Sequence, residues 1–454
     1  MITSVEDNYV GFSDKVGLRD RRNYQLFKDS LRGCSNKSGY GCFFLMKKYV
    51  QYFNDPHLAF TIGSIDGKPI DTALVRRIFK SVPIKDITYD DVVQYLNKNS
   101  ADNMEGIWKN PSLPYAVAIL KDSGTGNEYT GYALGTDSLY WYQGQIKMSL
   151  SVTGNRWTII YHRNDHSPDV RKMEVQSGIM NITGYSSWEK VYPRSSGTPL
   201  APKPKAVLSF NILSDSACAI VLPDFKITSK HAIDSVVKKN IEAISRSKYF
   251  LIDIRNNGGG SLLSADILFP LIASGSFIED GFIVRSSKDN IRTYQKYARD
   301  SSFLPDAQQA FLDIATKMET HGNGLVQISK TDTINTTQAP IPYPSRIGIL
   351  TNEGTMSAAE LFTLRSRQSE KVTVFGSRSR GALDYTESDI KRLPCPYFIY
   401  SCPIGMSDHT VTPYIDNVGI QPDIEIPDTT TDWMAYALKY LTQADALKRK
   451  SSKP

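Results

Sequence analysis

The sequence predicts an α/β protein with an inserted antiparallel β module, and three observations support this class. Apolar residues recur at helical spacing near the N-terminus, short alternating runs fill the middle, and strand-like runs alternate with helices afterwards. A chain of 454 residues is long enough for about three domains. We expect a helical domain over 1–110, the β module over 111–200 and an α/β domain over 201–454.

The N-terminal helices are predicted from apolar spacing. Tyr24, Phe27 and Leu31 fall on one helical face. The same periodicity predicts further helices, so that the expected set covers residues 21–33, 43–53, 72–81 and 89–98.

The β module is predicted from short runs of alternating polarity that are separated by Gly, Asn and Asp. These runs cover residues 115–120, 138–142, 146–152 and 157–161. The Pro-rich stretch 199–204 then predicts a linker.

After the linker, strands and helices alternate, which is typical of a parallel sheet covered on both faces. Strands are expected over 206–210, 217–222, 250–254, 346–350 and 372–375, with helices over 232–245, 262–272 and 358–367 between them. The polar segment 286–328 interrupts the alternation, and we expect it to form a cap of the kind that covers active sites.

Composition excludes several classes of protein. The net charge is only +6 and the charged residues are spread along the chain, so neither a nucleic-acid binder nor a disordered chain is indicated. No apolar stretch is long enough to span a membrane. Six histidines limit where imidazole chemistry can occur.

The five cysteines do not indicate a metal site. Cys34 and Cys42 are close in sequence, as are Cys395 and Cys402, while Cys218 stands alone in an apolar run. No Cys-x-x-Cys pair exists, so we expect no structural zinc. Two small-loop disulfides and five reduced thiols fit the spacing equally well.

A Gly-rich turn, Gly258 to Gly260, follows a predicted buried strand and opens a predicted helix. Glycines permit close backbone approach and leave N–H donors free at a helix N-terminus, although a simple tight turn explains the triplet as well. The spacing matches neither a dinucleotide fingerprint nor a P-loop, so nucleotide binding is disfavoured and no cofactor is expected.

A second strand, turn and helix contains Thr355, Ser357, Ala358 and Glu360. A serine at a helix N-terminus can act as a nucleophile beside a backbone N–H that stabilises an oxyanion. Ser357 with Glu360 three residues later also matches a capping box, and on that pattern alone the cap is favoured.

Three other features of the sequence have structural explanations. His57, after Asp55 and Pro56, is by itself more typical of a turn or cap than of a base. His162 and His166 are four residues apart, but the predicted strand end and turn there do not converge ligands as a helix does. Ser187-x-x-Lys190 matches a penicillin-recognising motif without that family's partner motifs.

In order and spacing, four motifs resemble the serine peptidase family of carboxy-terminal (tail-specific) processing proteases and the tricorn core protease. They are the strand and Gly turn 253–260, the Thr-x-Ser-Ala-Ala-Glu segment 355–360, the segment 376–381 and the Gly-Ile-Gln-Pro-Asp-Ile segment 419–424. The resemblance covers about residues 205–430 and also includes His57, which lies far from this range in the N-terminal part of the chain. It implies a ClpP/crotonase-like α/β catalytic domain.

The resemblance also implies the roles of individual residues. Ala382 stands where the processing proteases have a Lys base, so the tricorn-like, His-containing branch is the better match. That branch implies Ser357 as nucleophile, His57 as base and Asp416 as the acid that orients it. The oxyanion would be held by N–H groups of Ala358 and of the Gly258–Gly259 turn, with Glu360 as a supporting residue.

The expected function is therefore hydrolysis of peptide bonds in peptides or unfolded proteins. We expect a periplasmic or secreted protein from which a signal segment has been removed. The alternative is a catalytically silent ligand- or peptide-binding protein, because the same fold also builds the repeats of the interphotoreceptor retinoid-binding protein. The enzyme is favoured because the sequence contains all three implied triad residues, His57, Ser357 and Asp416.

Overall fold

The structure is a computed structural model. It describes residues 1–17, 20–34, 39–63, 70–99, 102–122, 128–136, 138–154, 156–194, 206–301, 303–334, 342–395 and 397–451. The predicted linker at 199–204 lies outside these ranges.

The helices follow the chain as α1 (Ile2–Asn8), α2 (Phe12–Gly17), α3 (Arg21–Gly33), α4 (Gly39–Gln51), α5 (Thr72–Lys80), α6 (Tyr89–Lys98), α7 (Lys230–Lys239), α8 (Ile241–Arg246), α9 (Phe269–Ile272), α10 (Lys288–Arg299), α11 (Pro305–His321), α12 (Ala358–Ser366) and α13 (Trp433–Ser451). The strands are β1 (Ala59–Ile62), β2 (Gly106–Lys109), β3 (Ala116–Lys121), β4 (Tyr129–Leu134), β5 (Ile146–Thr153), β6 (Arg156–His162), β7 (Pro168–Gln176), β8 (Ile179–Ile182), β9 (Trp188–Tyr192), β10 (Ser209–Ser214), β11 (Ala217–Val221), β12 (Tyr249–Asp253), β13 (Phe277–Glu279), β14 (Phe282–Ser286), β15 (Gly324–Ser329), β16 (Asp332–Ile334), β17 (Arg346–Thr351), β18 (Val372–Gly376), β19 (Tyr385–Arg392), β20 (Phe398–Ser407) and β21 (Ile424–Glu425).

The N-terminal helices pack on a sheet whose strands come mostly from the C-terminal half of the chain. Strands β1, β20, β14 and β15 are neighbours in that order, and β19 pairs with β20. Segment 286–328, the predicted cap, forms α10 and α11, and their buried Tyr294 and Met318 join the same core as Tyr9 and Tyr49. This core brings the first residues of the chain next to elements four hundred residues away.

The strands of the β module close into a barrel. Strands β2 to β9 pair in chain order, and β2 also pairs antiparallel with β9, which completes the ring. Inward side chains such as Trp108, Met148 and Trp188 fill the interior and are fully buried. Closure removes the exposed edges that an open antiparallel sheet would present.

Residues 138–142 do not form the expected strand. Their alternating pattern is overridden by a local turn, in which the Ser138 hydroxyl accepts a hydrogen bond from the Trp141 N–H at 2.8 Å. Trp141 then packs in the barrel core, and the next strand begins at Ile146.

The α/β region contains a six-stranded sheet in the order β10, β11, β12, β17, β18, β21. In this sheet β11, β12, β17, β18 and β21 run parallel, and β10 is an antiparallel edge strand. Buried residues of α7, α8, α9 and α12 pack on one face, while those of α13 pack on the other. The predicted mixed α/β class with a parallel sheet is thus confirmed.

Parallel strands place their C-terminal ends at one edge of the sheet. Asp253 of β12 lies beside Leu350 of β17, and Thr351 lies beside Gly376 of β18. The turns that follow these three strands therefore meet at that edge, which is where open α/β sheets carry their sites.

Two further observations concern the whole chain. Among the described residues, no helix is both long and apolar enough to cross a membrane. All five cysteines are free thiols in the structure.

Candidate active site

The Gly-rich turn after β12 is fixed by two asparagines. Asn257 Nδ2 donates to the Leu222 carbonyl at 3.0 Å, and Asn257 Oδ1 accepts the Gly259 N–H at 2.9 Å. Asn352 Oδ1, on the turn after β17, accepts the Asn256 N–H at 2.8 Å. The two turns are thereby held against each other.

Gly259 packs directly against the candidate nucleophile. Its φ is +87°, and a Cβ at this position would lie 2.8 Å from Ser357 Cβ and 3.0 Å from the Ala358 nitrogen. No side chain fits there, so the glycine is required both by backbone conformation and by close approach.

We predict that Gly259→Ala destabilises the protein by about 3 kcal/mol, combining backbone strain with overpacking. Gly258→Ala is the matched control, because a Cβ on Gly258 meets nothing within 4 Å. Thermal unfolding of the two variants checks this: the midpoint should fall by several degrees for Gly259→Ala only. Equal midpoints would contradict the close packing of the two turns.

Ser357 begins helix α12 with an unusual backbone conformation. Its φ is 56° and its ψ is −126°, a region that a residue with a Cβ rarely adopts. Residues held in such conformations cluster at functional sites, where the surrounding structure imposes the strain. The Glu360 carboxylate accepts the Ser357 N–H at 2.9 Å, which is one half of the predicted capping box.

Glu360 is a fully buried acceptor that connects two loops. Besides the Ser357 N–H, its carboxylate accepts the Ser379 hydroxyl at 2.5 Å and the N–H groups of Gly381 and Ala382 at 2.6 and 2.8 Å. Burial raises its pKa, and these four hydrogen bonds act in the opposite direction. Glu360 therefore supports the turn that carries Ser357.

Two backbone N–H groups beside Ser357 are without acceptors. Within the described residues, neither the Gly258 N–H nor the Ala358 N–H donates a hydrogen bond to the protein. The Gly259 N–H, by contrast, is bound to Asn257 Oδ1. The sequence predicts an oxyanion donor in the Gly258–Gly259 turn without choosing between the two glycines. Among the described residues, only the Gly258 N–H of this pair lacks an acceptor.

His57 lies in the turn between α4 and β1. The Asp55 carboxylate shapes this turn, since Oδ1 accepts the His57 backbone N–H at 2.8 Å and Oδ2 accepts the Tyr9 hydroxyl at 2.7 Å. His57 Nδ1 lies 4.0 Å from Asp55 Oδ1, which is beyond hydrogen-bond distance. The imidazole is 19% exposed and bonds to none of the described residues.

Asp416 lies in the loop before β21. Its Oδ2 accepts hydrogen bonds from Lys15 Nζ and from Asn417 Nδ2, while Oδ1 accepts none from the described residues. The Lys15 side chain is 8% exposed and that of Asp416 is 16% exposed. Buried Asp384 fixes the loop by accepting the Asp416 N–H at 2.9 Å.

A continuous chain of hydrogen bonds joins the three predicted triad segments. The Gly381 N–H donates to Glu360, and the Gly381 carbonyl accepts the Asn417 N–H at 2.8 Å. Asn417 Nδ2 donates to the Asn54 carbonyl at 2.6 Å. Asn54 lies three residues before His57 in the sequence. In this state, no hydrogen bond among the described residues joins His57 directly to Ser357 or Asp416.

The weaker candidates have structural roles. The His166 ring stacks on Trp141 at 4.0 Å between centroids, and His162 Nδ1 lies 3.3 Å from the His166 carbonyl. Ser187 donates to Asn181 and Lys190 to backbone carbonyls, so the two do not form a catalytic pair. No group of metal-binding side chains occurs in the part of the chain that the structure describes.

Sequence reasoning missed the roles of Lys15, Tyr9, Asp384, Asn257 and Asn352. No motif surrounds Lys15, and its partner Asp416 is 401 residues away. The two asparagines carry a weak signal, because each stands just after a strand at the edge where the site forms.

Comparisons with known proteins concern the family and the fold. A model of peptidase family S41 matches residues 216–426, which include the Gly turn, Ser357 and Asp416. Among solved structures, mature CPAF has a TM-score of 0.52 at 13% identity over 99% of this chain and 96% of that chain. Mature CPAF complexed with lactacystin has a TM-score of 0.50 at 12% identity, with the same coverage.

At these identities the likeness to CPAF shows the fold alone. No curated protein matches the chain. The class that the family match and the fold define is that of the serine-type peptidases. More particularly, residues 216–426 match the model of peptidase family S41.

Proposed function

We propose that this protein hydrolyses peptide bonds in peptides or unfolded proteins through Ser357, His57 and Asp416, on a ClpP/crotonase-like catalytic domain. The observation that carries the proposal is the turn around Ser357. This serine begins a helix in a strained conformation, and the nearby N–H groups of Gly258 and Ala358 have no acceptor among the described residues. That arrangement suits a nucleophile and an oxyanion hole better than it suits a simple helix cap.

In the proposed reaction, Ser357 Oγ attacks the substrate carbonyl while His57 removes the hydroxyl proton. His57 then gives that proton to the leaving amine, so that the peptide bond breaks and an acyl-enzyme remains. A water molecule repeats the sequence, with His57 again as the base, and releases the new carboxylate and free Ser357.

The oxyanion of each tetrahedral intermediate would be stabilised by the N–H groups of Gly258 and Ala358. Neither N–H donates to a described residue, and Ala358 stands at the first position of α12, where the helix dipole favours negative charge. Gly259 contributes by its lack of a side chain, which lets the two turns approach each other.

We assign the orienting acid to Asp416 rather than to the nearer Asp55. Both Asp55 oxygens already accept hydrogen bonds that hold the turn, whereas Oδ1 of Asp416 accepts none from the residues that the structure describes. The Asn417 contact to Asn54 keeps the Asp416 loop beside the His57 turn. The triad contacts would form when substrate binds, as catalytic hydrogen bonds in ligand-free sites are often loose.

An activity-based fluorophosphonate probe tests the proposal. We expect the probe to label the native protein at Ser357, and neither Ser357→Ala nor heat-denatured native protein to be labelled. Peptide mapping of the labelled protein locates the modified residue. A folded native protein that stays unlabelled would instead support the silent binding protein on the same fold.

A further inference from the structure

A cluster of three arginines surrounds one aspartate where the barrel meets the loop after β18. Asp169 of β7 is fully buried, and its Oδ2 accepts hydrogen bonds from Arg163 at 2.8 Å, from Arg171 at 3.0 Å and from the Tyr185 hydroxyl at 2.7 Å. Arg380 Nη2 lies 3.6 Å from the other oxygen. Three guanidinium groups around one carboxylate leave an excess of positive charge.

Several donors of this cluster are unused. The Arg380 guanidinium makes no hydrogen bond with any described residue, since its distance to Asp169 exceeds the limit for one. Arg171 Nε is buried and has no hydrogen-bond partner in the described part of the chain. Burial and the neighbouring Arg171 lower the pKa of Arg380, but a guanidinium stays charged in proteins. Partly desolvated cations with free donors favour an anionic ligand.

The cluster borders the turn that carries the candidate nucleophile. The Arg380 N–H donates to the Thr355 carbonyl at 2.9 Å, two residues before Ser357. Arg171 Nη1 donates to the Glu353 carbonyl at 3.3 Å in the same turn. The side chains of Arg380 and Arg163 are 31% and 51% exposed, so a ligand can reach them from solvent.

We propose that Arg380, assisted by Arg163, is a specificity-determining subsite that binds a carboxylate of the peptide substrate. The carboxylate is that of an Asp or Glu side chain near the scissile bond, or that of the peptide's C-terminus. A guanidinium binds either one through two parallel hydrogen bonds. This inference rests on the proposed peptidase function, because the subsite is defined by its place beside Ser357.

Binding can be measured apart from catalysis in the Ser357→Ala background. The probes are fluorescein-labelled peptide pools, randomised at uncharged positions, with a central Glu or Gln and with a free or amidated C-terminus. We expect Ser357→Ala to bind one carboxylate-bearing pool about tenfold more tightly than its neutral counterpart, by fluorescence anisotropy. Comparing the Glu and Gln pools tests whether the bound carboxylate is that of a side chain. Comparing the free and amidated pools tests whether it is that of the C-terminus.

Arg380→Gln, added to this background, should reduce the tenfold ratio to about one by weakening only the carboxylate-bearing pool. Arg378→Gln is the matched control, because it removes the same charge from the same loop, where Arg378 bonds to Gln421 and Val418 instead. We expect Arg378→Gln to keep the ratio. Cleavage of the same pools by variants that retain Ser357 should follow the same pattern in kcat/KM.

Two results would overturn the subsite. One is equal binding of all four pools by Ser357→Ala, and the other is an Arg380→Gln variant that weakens neutral and carboxylate-bearing pools alike, as a purely structural Arg380 would. Failure of the peptidase function gives a different result: native protein that neither reacts with the fluorophosphonate nor cleaves any pool. The carboxylate preference in anisotropy would still decide the subsite in that case.

Discussion

His57→Ala is expected to lower kcat by about 10⁴-fold or more, because Ser357 would lose the group that accepts its proton. Residual turnover would come from the oxyanion donors and from substrate binding. KM should change little, since the imidazole in the proposed reaction acts on protons rather than on binding. Steady-state kinetics on a peptide that the native enzyme cleaves measures both constants.

Two controls accompany this variant. Its thermal midpoint should match that of the native protein, as the His57 ring bonds to none of the described residues. His409→Ala tests a different histidine as the base. The His409 ring stacks on Tyr414 at 3.8 Å between centroids, and its Nε2 lies 3.9 Å from Asp384 Oδ1. If His57→Ala keeps near-native turnover and His409→Ala loses it, the general base is His409 rather than His57.

The local parts of this site could be predicted from the sequence. The Gly turn and the Ser357 segment each lie within a few residues, and each follows a buried strand whose apolar pattern is strong. Once the strands are taken as parallel, their C-terminal ends must share an edge. The pairing of Ser357 with Glu360 followed from helix geometry alone, although the contacts of Glu360 with Ser379 and Gly381 did not.

The long-range parts could not be predicted. Lys15 and Asp416 are 401 residues apart, and their contact exists because the N-terminal helices share a core with β19 and β20. No local pattern encodes that packing. The closed barrel is a similar case, since closure depends on pairing its first strand with its last, and alternating polarity fits open and closed sheets equally well.

The arginine cluster around Asp169 could not be predicted from the sequence for a different reason. Asp169 and Arg171 occur in an ordinary alternating strand, and Arg380 lies in the loop that begins after Gly376 of β18. Each would be taken for a solvated surface charge by itself. Their arrangement depends on how the barrel packs against the turn that carries Ser357. This packing buries the Asp169 side chain completely, and the Arg380 guanidinium finds no hydrogen-bond acceptor among the described residues.

Asp416→Asn is expected to lower kcat by on the order of 10³- to 10⁴-fold, as the loss of an orienting carboxylate does in a triad. The amide cannot stabilise the imidazolium that forms when His57 takes the proton. Asp55→Asn is the matched comparison, because it removes the other carboxylate near His57. We expect it to act mainly on stability, by weakening the turn that Tyr9 and the His57 N–H hold. Kinetics and thermal unfolding of both variants separate the two roles.

The stability of Asp416→Asn needs its own control. Lys15 is nearly buried, so removing its carboxylate partner leaves an unpaired charge that destabilises the fold by about 3 kcal/mol. The double variant Lys15→Met with Asp416→Asn removes both charges and should recover stability without recovering kcat. If it recovers both, Asp416 acts only through packing. If Asp55→Asn instead loses kcat at an unchanged midpoint while Asp416→Asn stays active, the orienting acid is Asp55, and its 4.0 Å separation from Nδ1 must shorten when substrate binds.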